Sequence, residues 1–236
     1  MSVYELERQI VSCLVTKDFI QQLENYLLNT IPSIIEIPSE IIREEYSLSL
    51  KDKFGTETLS SISNYDSNQF PDSTTDISVG FNIYRPKKIR IDISFNKDEI
   101  ISFIRINYES DNPREIVKGI YDGIKRIIEP HSNKNKIFHP SAFIGGFLLS
   151  FSFYFFGFAV YLFLKNLYLY GMISGFVFLF ILFYLSLGKW LKPYISFESK
   201  KYFFIKKWSN WFFGGFLAFI IFGTIFVLLR KKFLGF

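Results

Sequence analysis

Between residues 141 and 187 the chain carries a single charged side chain, Lys165. Residues 141–164 are uncharged throughout, and so are residues 167–187. A bilayer core of about 30 Å is crossed by about 20 apolar helical residues, so either stretch is long enough to span. Lys165 and Asn166 interrupt them, which predicts a tight helical hairpin turning near residues 165–168. A third uncharged stretch, 209–229, is closed by Arg230, Lys231 and Lys232. One such helix could be the core of a soluble protein, but three in succession predict a membrane domain over residues 138–236.

Charge and aromatic content divide the chain at the same place. Residues 1–140 carry 17 basic and 21 acidic side chains, whereas residues 141–236 carry 10 basic side chains and one acidic, Glu198. Of the 30 Phe, 23 lie after residue 140, with all three Trp. This excludes a soluble enzyme filling the whole chain. The lone Cys13 excludes a disulfide scaffold. The expected organisation is a soluble domain, 1–137, followed by the membrane domain.

The segment between the second and third stretches, 188–208, holds six lysines against Glu198, interleaved with aromatic rings. Amphipathic rings favour the headgroup layer and lysines favour anionic lipid. Lys189, Trp190, Lys192, Lys200, Lys201, Lys206, Lys207, Trp208 and Trp211 are therefore expected at the lipid interface, on an amphipathic helix broken by Pro193. Membrane lipids, and not nucleic acid, are the expected partner of this run. Counting lysines and arginines on the two sides predicts a multi-pass protein of the bacterial inner membrane with its N-terminal domain in the cytoplasm. Residues 1–30 contain no apolar core behind a basic start, so no cleavable leader is expected there. No Asp, Glu, Arg or His falls within a span, which counts against a proton-coupled transporter. A pore shared between copies remains open, lined by Ser150, Ser152, Ser174 and Thr224. Gly171 and Gly175, and Ser141 and Gly145, have the small-xxx-small spacing that lets helices approach, either within one protomer or between copies of a homo-oligomer.

The first 137 residues read as α+β, with helices on one face of a four-stranded antiparallel sheet. Ser2 and Glu5 have capping-box spacing, which predicts a helix from Val3 with Leu6, Ile10, Val11 and Leu14 as its apolar stripe and Cys13 in its core. A second helix is expected after Thr16, burying Phe19, Ile20, Leu23, Tyr26 and Leu27 and ending at Pro32. Four segments alternate with period two, through Leu48 and Leu50, Ile77 to Ile83, Ile89 to Phe95, and Ile104 to Tyr108. Residues 60–75 read as a long polar loop. A last helix is expected from Asn112, with Ile116, Ile120, Ile124, Ile127 and Ile128 inward.

No phosphate loop, dinucleotide fingerprint, nucleophile elbow or zinc-protease motif is present. His131 and His139 lack partners at ligand spacing, and Asp66, Asp72 and Asp76 lack the Gly and Glu of a calcium loop. No catalytic residue, metal or cofactor is expected. If Ile89, Ile91 and Ile93 point inward, Lys88, Arg90 and Asp92 point out, beside Asn82, Tyr84, Arg105 and Asn107. Asn82, Tyr84, Lys88, Arg90, Arg105 and Asn107 are the candidate ligand-binding residues, for an anion such as a nucleotide or for a cytoplasmic protein partner. The alternative is the ordinary polar outer face of a one-sided sheet.

The order of a capped helix, the strands KKIRIDISF and IISFIRINY, the capped helix DNPREIVKGIYDGIKRIIEP and paired transmembrane helices resembles small membrane proteins of bacterial anti-phage loci. It is similar in layout to the membrane effectors of cyclic-nucleotide defence systems. That resemblance implies a cytoplasmic sensing domain and helices that oligomerise to breach the membrane, and it carries over no functional residue. Three readings stand: a defence effector or sensor, an anchor that recruits a soluble partner, and an enzyme whose site a single sequence does not show.

Overall fold

The structure, a computed structural model, describes residues 2–211, 214, 215 and 218. The N-terminal part is α+β. Its six-stranded antiparallel sheet has the order β1-β7-β6-β5-β3-β4, formed by β1 (Ser2–Gln9), β3 (Ser47–Lys51), β4 (Thr56–Leu59), β5 (Asp76–Ile83), β6 (Ile89–Asn96) and β7 (Phe103–Ser110). A two-residue strand, β2 (Leu14–Val15), lies outside it. The four alternating segments are the central strands, and their register places Leu48, Val79, Ile93 and Ile104 across one row of the inner face.

Two strands were not foreseen as such. β4 is short and its side chains are mostly exposed, so it has little apolar alternation to read. β1 replaces the expected first helix. Its eight residues pair one for one with β7, from Ser2 opposite Ser110 to Gln9 opposite Phe103. The local capping signal yields to the unpaired edge of β7, whose backbone groups need partners. Period two also fits this stretch: Leu6 is buried, whereas Val3 and Glu5 are exposed. Val11, placed in the apolar stripe of that helix, is exposed. Cys13 is buried, but in a backbone bridge to Ser132 and not on a helix.

Helices cover the inner face. α1 (Lys17–Asn25) is capped by the Thr16 hydroxyl, which accepts from the Phe19 N–H at 3.1 Å. Phe19, Ile20, Leu23 and Leu27 are fully buried, as expected. Pro32 does not end the helical run. It sits in the first turn of α2 (Ile31–Ile35), which follows directly on a single wide turn at Tyr26–Thr30, where the helical bonding pattern changes. α3 (Ser39–Glu45) follows, and α4 (Pro113–Ile128) packs on β1 and β7. In α4, Ile120, Ile124 and Ile128 are buried together with Val117, while Ile116 and Ile127 are partly buried at the margin of the core. Residues 60–75 are pinned, not loose. Ile62 and Phe70 are buried, and the buried Glu24 carboxylate accepts from the Ile62 N–H at 2.9 Å.

Beyond a short linker come α5 (Ala142–Leu164) and α6 (Tyr168–Leu191). Both are long and apolar enough to cross a membrane, and only 17% and 11% of their apolar windows is buried within the protein. At about 1.5 Å per residue, the 23 residues of α5 reach about 35 Å. The hairpin turn falls where Lys165 and Asn166 predicted it. Asn166 adopts φ 58°. The N–H groups of Asn166 and Leu167 donate to the carbonyls of Phe163 and Leu162, closing a Schellman cap. The expected third span, 209–229, lies for the most part outside the described residues, and so does Thr224.

Gly80 faces Asp92 across β5 and β6, at a crowded crossing of backbones. A Cβ there would lie 2.0 Å from the Ile91 carbonyl oxygen, which has no freedom to move away. Gly80→Ala is expected to cost about 3 kcal/mol or more, whereas Gly55→Ala, with nothing within 4 Å, is expected to be near neutral. Guanidinium titration of the two variants, followed by circular dichroism, checks the contrast.

Candidate functional site

Four of the six candidate ligand residues, Asn82, Arg90, Arg105 and Asn107, share one face of the sheet. Asn82, Arg90, Asn107 and Glu5 form one rung across four strands, and Gly80, Asp92, Arg105 and Glu7 form the next. Tyr84 is exposed beyond the end of β5, and Lys88 is exposed just before β6. The face is largely satisfied internally. Arg105 donates to Glu7 at 2.7 Å and lies 3.8 Å from Glu5. Arg90 pairs with Asp92 at 2.6 Å, and Asn82 donates to the Tyr84 hydroxyl at 2.9 Å. Among the described residues, the buried Asn107 Oδ1 has no partner. Glu5 and Glu7 belong to β1, so the strand that had been expected as a helix supplies the counter-charges. Both guanidiniums are committed to carboxylates, and the face presents mixed charge suited to a polar protein surface more than to an anion.

The second arrangement was not legible in the sequence. After α6 the chain turns back into the N-terminal α+β part. Ser196–Phe197 forms a strand, β8, parallel to β2. The Ser196 N–H donates to the Cys13 carbonyl at 3.0 Å, and the Glu198 N–H donates to the Val15 carbonyl at 2.9 Å. Tyr194, Ile195 and Phe197 are buried in the N-terminal core. The Tyr194 hydroxyl donates to the Ile10 carbonyl at 2.8 Å. The 188–208 segment is therefore not an interfacial run throughout: its middle has exchanged lipid for protein because three apolar or aromatic side chains there find a core.

The linker before α5 grips the same point. Asn135 donates to the Pro193 carbonyl at 2.8 Å. His139 Nε2 lies 2.8 Å from the Lys192 carbonyl oxygen, and its ring meets Tyr194 edge-on. Phe138 packs against Tyr184 and fills the space beside Gly188. On the far side, the Phe70 N–H donates to the Glu198 carbonyl, and Asp72 accepts from the Lys201 N–H at 2.7 Å. Residues 200–211 are then helical. Lys189, Trp190, Lys200, Lys201, Lys206, Lys207, Trp208 and Trp211 are exposed, and Lys192 is half-buried.

The helix-packing residues separate into three cases. Gly171 packs within the protomer, where a Cβ would meet the Phe163 ring at 3.0 Å and the Ala159 carbonyl at 3.3 Å. Among the described residues, nothing lies within 4 Å of a Cβ built on Gly145 or Gly175. Ser141 caps α5, its hydroxyl accepting from the Ile144 N–H, and so serves the helix end and not a helix contact. Ser152 and Ser174 are buried in the hairpin, donating to the carbonyls of Leu149 and Phe155.

Among the described residues no group of three or more His, Cys, Asp or Glu side chains is placed to hold a metal. No protein-family model matches the chain, and no curated protein or solved structure is significantly similar to it.

Burial pushes the Cys13 thiol up from 9.0 to about 12. Burial, with Glu99 and then Cys13 nearby, pushes the Tyr194 phenol up from 10.0 to about 12. Each group holds its proton in the folded state after the unfolded chain has lost it. The stability they contribute is complete below pH 9 and is lost as pH rises from about 9 to about 12. Thermal melts of the full chain in detergent are expected to fall across that window. Tyr194→Phe is expected to flatten the fall above pH 10, and to cost about 1 kcal/mol at neutral pH through the lost bond to Ile10.

Proposed function

We propose that the chain is an effector of the bacterial inner membrane in which a cytoplasmic recognition domain drives a change in its membrane helices. The observation that carries this reading is the seat of residues 193–198 in the soluble core. A tether needs only a linker. Here both feet of the α5–α6 hairpin are tied to the N-terminal domain, the first by the Lys136 N–H on the Ser12 hydroxyl and the second by residues 194–198 on the carbonyls of residues 10–15. A shift in domain packing moves the hairpin base and the helix that begins at residue 200.

Orientation has its own support. Both ends of the hairpin return to the same side, so the six lysines of 188–208 share that side with the domain, and Lys165 is the charge at the opposite tip; Arg230, Lys231 and Lys232, which follow the expected third span, lie outside the described residues. Excess lysine marks the cytoplasmic face. The outer sheet face around Asn82, Arg90, Arg105 and Asn107 is the recognition surface of this reading, for a polar cytoplasmic partner. Gly145 and Gly175, open on the hairpin, are where neighbouring copies approach in a homo-oligomer. The reading is non-catalytic, and the resemblance in layout favours a role in anti-phage defence.

A flexible Gly-Ser insertion between Lys192 and Pro193 uncouples the hairpin from the core while leaving both intact. Membrane potential, followed with a voltage-sensitive dye in bacteria under phage challenge, is expected to collapse with the full chain. It is expected to hold with the insertion variant at equal membrane abundance. Depolarisation that survives the insertion overturns the coupling. Protection with an unchanged potential in cells bearing the full chain favours a recruiting anchor instead.

A further inference from the structure

Where the soluble domain meets the hairpin there is a cavity of about 860 Å³. One wall is the turn between β6 and β7, from Lys97 to Ile101. The opposite wall is the last turn of α6, with Lys189 and Trp190, and the start of the following helix, with Lys201 and Ile205. Ser141 and Ala142, where α5 begins, also line it. The cavity therefore opens at the ends of the two membrane-length helices, at the depth where lipid headgroups lie.

Its surface is that of an amphiphile site. Ile100 is 91% exposed, Ile101 48% and Trp190 61%. Three large apolar side chains left open at one level suit the headgroup and acyl boundary and not bulk water. Beside them stand the cations. Lys97 is half-buried, and among the described residues it forms no ion pair. Its ammonium lies 6.0 Å from the centre of the Phe197 ring, and that of Lys201 lies 5.8 Å from the centre of Trp190. Burial, with the Lys201 charge nearby, lowers the pKa of Lys97, and Asp72 offsets this only in part. Asp72 already spends Oδ1 on the Lys201 N–H. Asp98 and Glu99 stand on the β6–β7 turn, so the lining carries both signs, as the headgroup of a zwitterionic phospholipid does.

We propose that this cavity binds a phosphate ester, with Lys97 and Lys201 holding the phosphate and Ile100, Ile101 and Trp190 lying against an apolar remainder. A phospholipid drawn from the surrounding leaflet has that chemistry. The site is separate from the outer sheet face and does not depend on what that face recognises.

The test uses the full chain in a non-ionic detergent, with native mass spectrometry to count retained ligand and thermal unfolding to read protection. Four probes are added: dioleoyl phosphatidylglycerol, dioleoyl phosphatidylethanolamine, dioleoylglycerol and glycerol 3-phosphate. Wild-type chain is expected to retain a phospholipid and to melt at higher temperature with it, and to ignore dioleoylglycerol, which has the same tails and no phosphate. Lys97→Met with Lys201→Met is expected to weaken binding about tenfold or more. Lys118→Met, at an exposed site on α4, is expected to change nothing. If the double variant does not fold, Lys201→Gln, at an exposed position, carries the same test. Protection by glycerol 3-phosphate equal to that by the lipids supports the phosphate site and assigns it a soluble ester. Protection by the phospholipids alone supports it and assigns the lipid. Equal binding by the Lys97 and Lys201 variants and by wild type, or equal protection by dioleoylglycerol, overturns the proposal.

Discussion

The pairing of β2 with β8 is the contact on which the rest of the architecture turns. A chain leaving a membrane helix reaches water with its peptide groups solvated. To enter a protein core it must exchange that water for partners, because a buried N–H or carbonyl left unpaired costs about as much as a lost hydrogen bond. Residues 13–15 present free carbonyls that residues 196 and 198 satisfy. Two strands of two residues are too short to hold by themselves. They persist because Tyr194, Ile195 and Phe197 bury their side chains beside them, and because Asn135 and His139 take up carbonyls of the same stretch. Hydrophobic burial and backbone pairing each make the other favourable here.

Much of the sheet could be read from sequence because its signal is local. Leu48 and Leu50, and the isoleucines of β5, β6 and β7, alternate within their own strands, and β5, β6 and β7 lie side by side in chain order. α4 was legible for the same reason, though Asn112 makes no side-chain cap. β1 was misread because Ser2 and Glu5 satisfy a helix-start pattern, while the reason for a strand, the open edge of β7, lies about 100 residues away. Residues 194–197 were misread because their flanks decide their appearance: lysines on both sides make Tyr194, Ile195 and Phe197 look interfacial. No local period distinguishes a segment that enters a distant core from one that lies on lipid.

The error at β1 carried into the electrostatics. With a helix at residues 3–14, Arg90, Arg105 and Lys88 would stand on an open face with Asp92 as their one near counter-charge. As a strand, β1 sets Glu5 and Glu7 beside Arg105, and the direct ion pair removes the reason for a separate anion to bind there. The register itself was inferred correctly, since Ile89, Ile91 and Ile93 are buried and Arg90 is exposed. Placement of side chains on a face and the net charge of that face are thus different problems. The first needs only a period of two, and the second needs every strand of the sheet.

The hairpin obeys the rule that polar groups in hydrocarbon find partners within the protein. Ser152 and Ser174 turn inward and bond backbone carbonyls, Gly171 brings the helices close, and the outward surface is left to rings such as Phe147, Phe151, Tyr154 and Phe158. The two hydroxyls are therefore unavailable to line a water path. A conduit built from hairpins alone would be walled by phenyl and phenol rings, and a narrow apolar wall empties of water. In the proposed effector reading, ion flow through such an assembly would require the rings to be drawn apart, and the force for that would enter at the base, where residues 135–139 and 192–198 join the helices to the sheet.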